Sequence, residues 1–140
     1  MKKLLLLFGM FLCIISCSSD DNDDIKSKSN SYIGTWKGVF LNEKGTGASE
    51  NLMSGTWYAI VSQDNKVTGE CVYDNDKDFK TYVSGTVDND GNVVLGTYDY
   101  SYQIKDGEFI GKFTLGGQAS GTWKNLHDKR YYGTWKGNKQ

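Results

Sequence analysis

The sequence predicts an all-β fold, an antiparallel eight-stranded up-and-down barrel, with a flattened barrel or a two-sheet β-sandwich as the alternative. Three observations carry that expectation. The phrase Gly-Thr-Trp recurs along the chain, with bulky residues alternating at period two around it. Clusters of Asn, Asp, Gly and Lys separate the copies at hairpin spacing, Asp90-Gly91 and Asp106-Gly107 being the clearest turns. The chain contains no proline, and beyond its leader no stretch has a helical period.

Eight candidate strands follow, at 31–41, 52–62, 67–73, 79–88, 92–104, 108–115, 118–124 and 130–137. The first sets Tyr32, Gly34, Trp36, Gly38 and Phe40 on one face, with Thr35 and Lys37 opposite. The second gives Met53, Gly55, Trp57, Ala59 and Val61, and the third Val67, Gly69, Cys71 and Tyr73. The fourth holds the echo Gly85-Thr86-Val87. In the fifth, Val94, Gly96, Tyr98 and Tyr100 are read as inward, with Tyr102 continuing the series. Phe109, Gly111, Phe113 and Leu115 form the sixth inner face. Ala119, Gly121 and Trp123 form the seventh, and Tyr131, Gly133 and Trp135 the eighth.

Period two makes one face of such a sheet buried and the other polar. A glycine beside each aromatic leaves room for a neighbouring ring and lets the strand bend as barrel closure requires. Gly34-Thr35-Trp36-Lys37-Gly38 returns word for word as Gly133-Thr134-Trp135-Lys136-Gly137. Identical first and last strands fit a meander that closes on itself and leaves no free edge.

A Gly-x-Trp on the first strand of an eight-stranded barrel resembles the calycins, which comprise lipocalins, fatty-acid-binding proteins and avidins. In lipocalins a basic residue of the last strand covers that Trp. The resemblance implies Arg130 or Lys136 as the cover of Trp36. Gly55-Thr56-Trp57-Tyr58 followed by Val67-Thr68-Gly69 is similar to avidin strands. The chain lacks a clear match to the polar set with which avidins hold biotin, so biotin binding is not implied.

The leader has its own logic. Lys2 and Lys3 precede a short apolar run from Leu4 to Ile15, which closes on Ile14-Ile15-Ser16-Cys17. A bilayer-spanning helix needs about 20 apolar residues, so residues 1–16 read as a signal peptide rather than a span. The residues before Cys17 resemble the lipobox of bacterial lipoproteins. That resemblance implies cleavage before Cys17, a diacylglycerol on its thiol, and acylation of the new amino terminus by a chain such as palmitate. Residues 17–31 then form a lipidated, disordered acidic tether, and residues 32–140 the barrel domain. The run Ser18-Ser19-Asp20-Asp21-Asn22-Asp23-Asp24 resembles the acidic export signal of some Gram-negative bacteria. It implies an outer-membrane, surface-exposed location, with the membrane itself as a partner.

Composition narrows the function. Without Lys2 and Lys3, 14 basic residues face 17 acidic ones, which offers nothing to nucleic acid. Once Cys13 leaves with the signal and Cys17 is acylated, Cys71 has no disulfide partner and is expected as a small buried residue. The one histidine, His127, stands beside Asp128 in a turn, without a nucleophile motif, so no enzyme activity and no cofactor is expected. Asp74, Asp76 and Asp78 alternate as in a calcium loop. Phe79 and Gly85 nevertheless occupy the positions where an EF-hand needs Gly and Glu, which leaves only a loose calcium candidate.

Aromatic residues are the remaining lead. Trp36, Trp57, Tyr98, Tyr102, Trp123 and Trp135 are expected to wall a cavity for a small apolar or aromatic ligand. The competing expectation is a solid core, with loops or the outer face docking a protein or glycan. An eight-stranded barrel is wide enough for either.

Overall fold

The computed structural model describes residues 31–43, 53–101 and 103–140. Eight strands run in order: β1 Gly34–Asn42, β2 Gly55–Val61, β3 Lys66–Tyr73, β4 Lys80–Val87, β5 Asn92–Asp99, β6 Lys105–Phe113, β7 Gln118–Asn125 and β8 Tyr132–Lys139. Each pairs antiparallel with its chain neighbours, and β1 pairs with β8 to close the sheet. The fold is therefore a closed eight-stranded up-and-down barrel rather than a sandwich. In the closing ladder Gly38 lies opposite Gly137, so the two copies of the repeated phrase meet each other. The signal segment, Cys17, the tether up to residue 30 and Tyr102 lie outside the described residues.

The ends of the barrel differ. Three tight hairpins, Ser62–Lys66, Asp88–Asn92 and Thr114–Gln118, gather with the start of the domain at one end. Tyr32 is buried there and plugs the opening. Gly91 takes a φ of 85° in its hairpin, and a Cβ at that position would clash with the Phe113 carbonyl and reach 2.8 Å from the Tyr32 hydroxyl. The longer connections at 74–79, 100–104 and 126–131 gather at the opposite end.

Burial follows the expected alternation in six of the seven strands for which the sequence predicts an inner face, and β4, for which it predicts none, buries Thr81, Val83 and Val87. β2, for example, alternates buried and exposed along its whole length from Gly55 to Val61. β5 is the exception. Val93, Leu95 and Thr97 point inward, while Val94 is 52% exposed and Tyr98 and Tyr100 face out. Val93-Val94-Leu95 offers apolar residues to both faces, so the pattern alone does not fix the side. The Asp88–Asn92 hairpin fixes it by pairing Val87 with Val93, and a one-residue slip would turn every side chain over. The strand also ends at Asp99 rather than at 104, with an irregular register between Thr97 and Tyr98. Leu115, expected inside on the sixth strand, sits in a turn and is 59% exposed.

Candidate functional site: a filled interior and an outer tyrosine groove

The structure brings all four tryptophans to the inner wall, and each indole N–H already has a partner. Trp36 Nε1 donates to the Tyr32 carbonyl at 2.8 Å, and Trp123 Nε1 to that of Leu41 at 2.9 Å. Trp57 Nε1 donates to the Lys136 carbonyl at 3.3 Å. Trp135 Nε1 reaches the carbonyls of Thr122 at 3.1 Å and Ile110 at 3.3 Å.

Glycine explains how the rings fit. Trp57 faces Gly38 in the ladder, and its ring runs on to Gly137 one strand further, where an added Cβ would come within 2.5 Å of Cζ2. Trp135 faces Gly121 and reaches Gly111 in the same way. Trp123 faces Gly133. Two of the Gly-Thr-Trp glycines, Gly121 and Gly133, thus seat the indoles of Trp135 and Trp123, and Gly137, which closes the last repeat, seats that of Trp57.

Ring contacts fill the rest of the space. Trp36 stacks on Phe113 at 4.2 Å, and Trp57 meets Trp135 edge-on at 5.5 Å. Phe40 packs edge-on against Tyr73, Phe109 and Trp123. The void at the inner mouth, among Phe40, Met53, Tyr73, Phe109 and Trp123, measures about 10 Å³. Such a space holds one water at most.

Other candidates from the sequence fall elsewhere. Tyr98 lies on the outer wall, and Tyr102 is outside the described residues. The basic residue beside Trp36 is neither Arg130 nor Lys136. Arg130 pairs with Asp128 at 2.6 Å in the connection after β7, and Lys136 is on the outer face of β8. Lys139 instead faces Trp36 in the ladder and donates to the Ser31 carbonyl at 2.8 Å. Sequence reasoning stopped one residue pair short of it, because its strand was expected to end at 137.

His127 Nε2 stands 3.6 Å from the carboxylate of Asp106. Arg130 hydrogen-bonds the Asp128 carboxylate and holds its pKa down at about 2. Asp74 pairs with Lys77 at 2.8 Å, and Asp76 accepts the backbone N–H groups of Asp78 and Phe79. Among the described residues no three His, Cys, Asp or Glu side chains gather to hold a metal. Cys71 is a buried free thiol whose pKa burial pushes up to about 12, which keeps it protonated and inert.

On the outer wall the ladder lines up Tyr58, Glu70, Tyr82 and Tyr98 across β2 to β5. Tyr100 leans over this row and donates to Glu70 Oε1 at 2.7 Å. Lys80 Nζ stands 4.0 Å from the same carboxylate. Tyr82, Tyr98 and Tyr100, with Ser84, Asp99 and Gln103, line an open groove of about 420 Å³. The Tyr98 ring folds back over Gly96, where an added Cβ would lie 2.8 Å from it. Sequence reasoning missed the groove because it followed only the inner face. The available signal was tyrosine at positions 58 and 82 on the polar side of alternating strands.

Against protein-family models the chain finds no match, and no curated protein matches it.

Proposed function

We propose that this chain is a lipid-anchored envelope protein, held through Cys17 at the outer membrane and exposed on the cell surface. In this reading its barrel is a non-catalytic binding module that works through its outer wall. The observation that carries the reading is the commitment of every tryptophan N–H to a backbone carbonyl, with a void of only about 10 Å³ at the inner mouth beside Trp123. An apolar ligand inside would have to push stacked rings apart and strand those donors. Leaving one buried donor unpaired costs about 1–3 kcal/mol. The outer groove needs no such rearrangement, and its volume falls within the range of small-ligand sites.

The four indole N–H signals and the Gly96 and Gln103 amides can be followed separately by proton–nitrogen NMR during a screen of small polar and aromatic compounds. Binding at the outer wall moves the Gly96 and Gln103 amides and leaves the indoles still. Ligands that move the indole signals first would return the site to the interior and end this reading.

A further inference from the structure

The groove on the outer wall also indicates what it binds. We infer that Tyr82, Tyr98 and Tyr100, with Glu70 and Asp99 behind them, form a site for an organic cation, a methylated ammonium headgroup. This inference rests on the reading above that the outer wall is the binding surface.

Ring geometry is the first argument. The Tyr82 ring makes angles of 45° with Tyr98 and 64° with Tyr100, at centroid distances of 6.3 and 6.4 Å. Tyr82 is thus tilted against both neighbours rather than stacked on either, and the rings do not make a flat platform. Tilted aromatic rings suit a small rounded cation, which each ring attracts through its quadrupole. A flat sugar ring calls for a flat surface.

Charge is the second argument. Tyr100 donates its hydroxyl proton to Glu70, which shifts electron density into the ring and makes its face more negative. Asp99 lines the groove itself, and its carboxylate accepts the Ser101 N–H at 2.6 Å. Burial and then the Asp99 charge push the neighbouring Asp106 carboxyl up, while His127 pulls it down, so Asp99 adds negative charge beside the groove. Lys105 pairs with Glu108 at 3.0 Å, and Lys80 Nζ stands 4.0 Å from Glu70 Oε2, the oxygen that Tyr100 does not bond. Acidic groups behind aromatic faces are complementary to a cation and repel an anion.

The site is also built rather than incidental. Gly96 gives Tyr98 a seat, the unbroken β4–β5 ladder sets Tyr98 beside Tyr82, and Gln103 holds a φ of 53° at the rim.

The test compares choline with 3,3-dimethylbutan-1-ol, which has the same shape and no charge, using the Gly96 and Gln103 amides of the full chain as reporters. The expected result is saturable binding of choline, with the neutral analogue weaker by about tenfold or more. Tyr82→Ala should lose about tenfold, and Tyr100→Phe should weaken binding while keeping the ring. Unchanged indole signals in both variants establish that the barrel is intact. Equal binding of the two probes, or a response to cellobiose but not to choline, overturns the cation site and leaves an outer-wall binder standing. Either probe moving the indoles instead of the groove amides overturns both.

Discussion

The indole of Trp57 rests on Gly137, a residue of β8, although β1 lies between their strands. Its N–H reaches the carbonyl of Lys136, just before that glycine, at 3.3 Å. Gly137→Ala should therefore force either the ring or the β1–β8 ladder to move, and destabilise the barrel by about 2–3 kcal/mol. Gly116 is the control: its nearest neighbour is the Thr114 hydroxyl at 3.8 Å, so Gly116→Ala should change stability by less than about 0.5 kcal/mol. Urea unfolding of the two variants checks the contrast, and equal midpoints would remove the glycine-seat explanation of the repeats.

Trp36 is fully buried, stacked on Phe113 and bonded to the Tyr32 carbonyl. Trp36→Ala should cost about 3–5 kcal/mol, whereas Trp36→Phe keeps most of the stacking and forfeits mainly the hydrogen bond. The expected order of urea midpoints is wild type, Phe, then Ala. A Phe variant as weak as the Ala variant would show the hydrogen bond, not the stacking, to dominate.

Alkaline pH should unfold the barrel. Burial pushes the Tyr73 phenol from its ordinary 10 up to about 12, partly offset by a hydrogen bond with Thr81, and lifts the Cys71 thiol from 9 to about 12. Both groups favour the native state while protonated. The Cys71 contribution is whole below pH 9 and that of Tyr73 below pH 10, and both fade as pH rises towards 12. For Tyr73 the loss is on the order of 2–3 kcal/mol. Urea midpoints at pH 8 and 11.5 should differ more in the wild type than in Tyr73→Phe, and an equal drop in the two would exclude Tyr73 as a cause.

The same burial should shield Cys71 from reagents. At pH 8 iodoacetamide should leave it unmodified in the folded chain and label it once urea is added, as read by peptide mass mapping. Rapid labelling without urea would contradict its place inside the barrel.

Attachment at the membrane has its own test. Cys17→Ala should abolish incorporation of labelled palmitate and release the chain from the membrane fraction. Proteinase K added to intact cells should digest the wild type if the acidic run directs it to the surface. Palmitate labelling that survives the substitution would sink the lipobox reading.

The barrel was legible because a period-two pattern repeats in almost every strand and turn residues punctuate it. The side of β5 was not. Val93, Val94 and Leu95 satisfy both registers, and only the hairpin pairing of Val87 with Val93 decides between them. The state of the interior was half legible: Trp36, Trp57, Trp123 and Trp135 were placed correctly, but whether they surround a space depends on rings crossing from strand to strand. Tyr58 and Tyr82 could be read as tyrosines on the polar side of alternating strands, but their alignment with Glu70 and Tyr98 lies in the ladder and not in the sequence.

Two of the indole hydrogen bonds span the β1–β8 seam from opposite sides, Trp57 to Lys136 and Trp123 to Leu41, between residues 79 and 82 positions apart. Neither can form before the last strand has arrived. Hairpins of neighbouring strands can assemble early, but the seam must await a search across nearly the whole domain, the kind of distant contact that slows folding. Until then β1 exposes an unpaired edge beside an open aromatic wall, a form prone to self-association. The tryptophans that fill the barrel are thus also its latch, and its vulnerable moment is the interval before β8 docks.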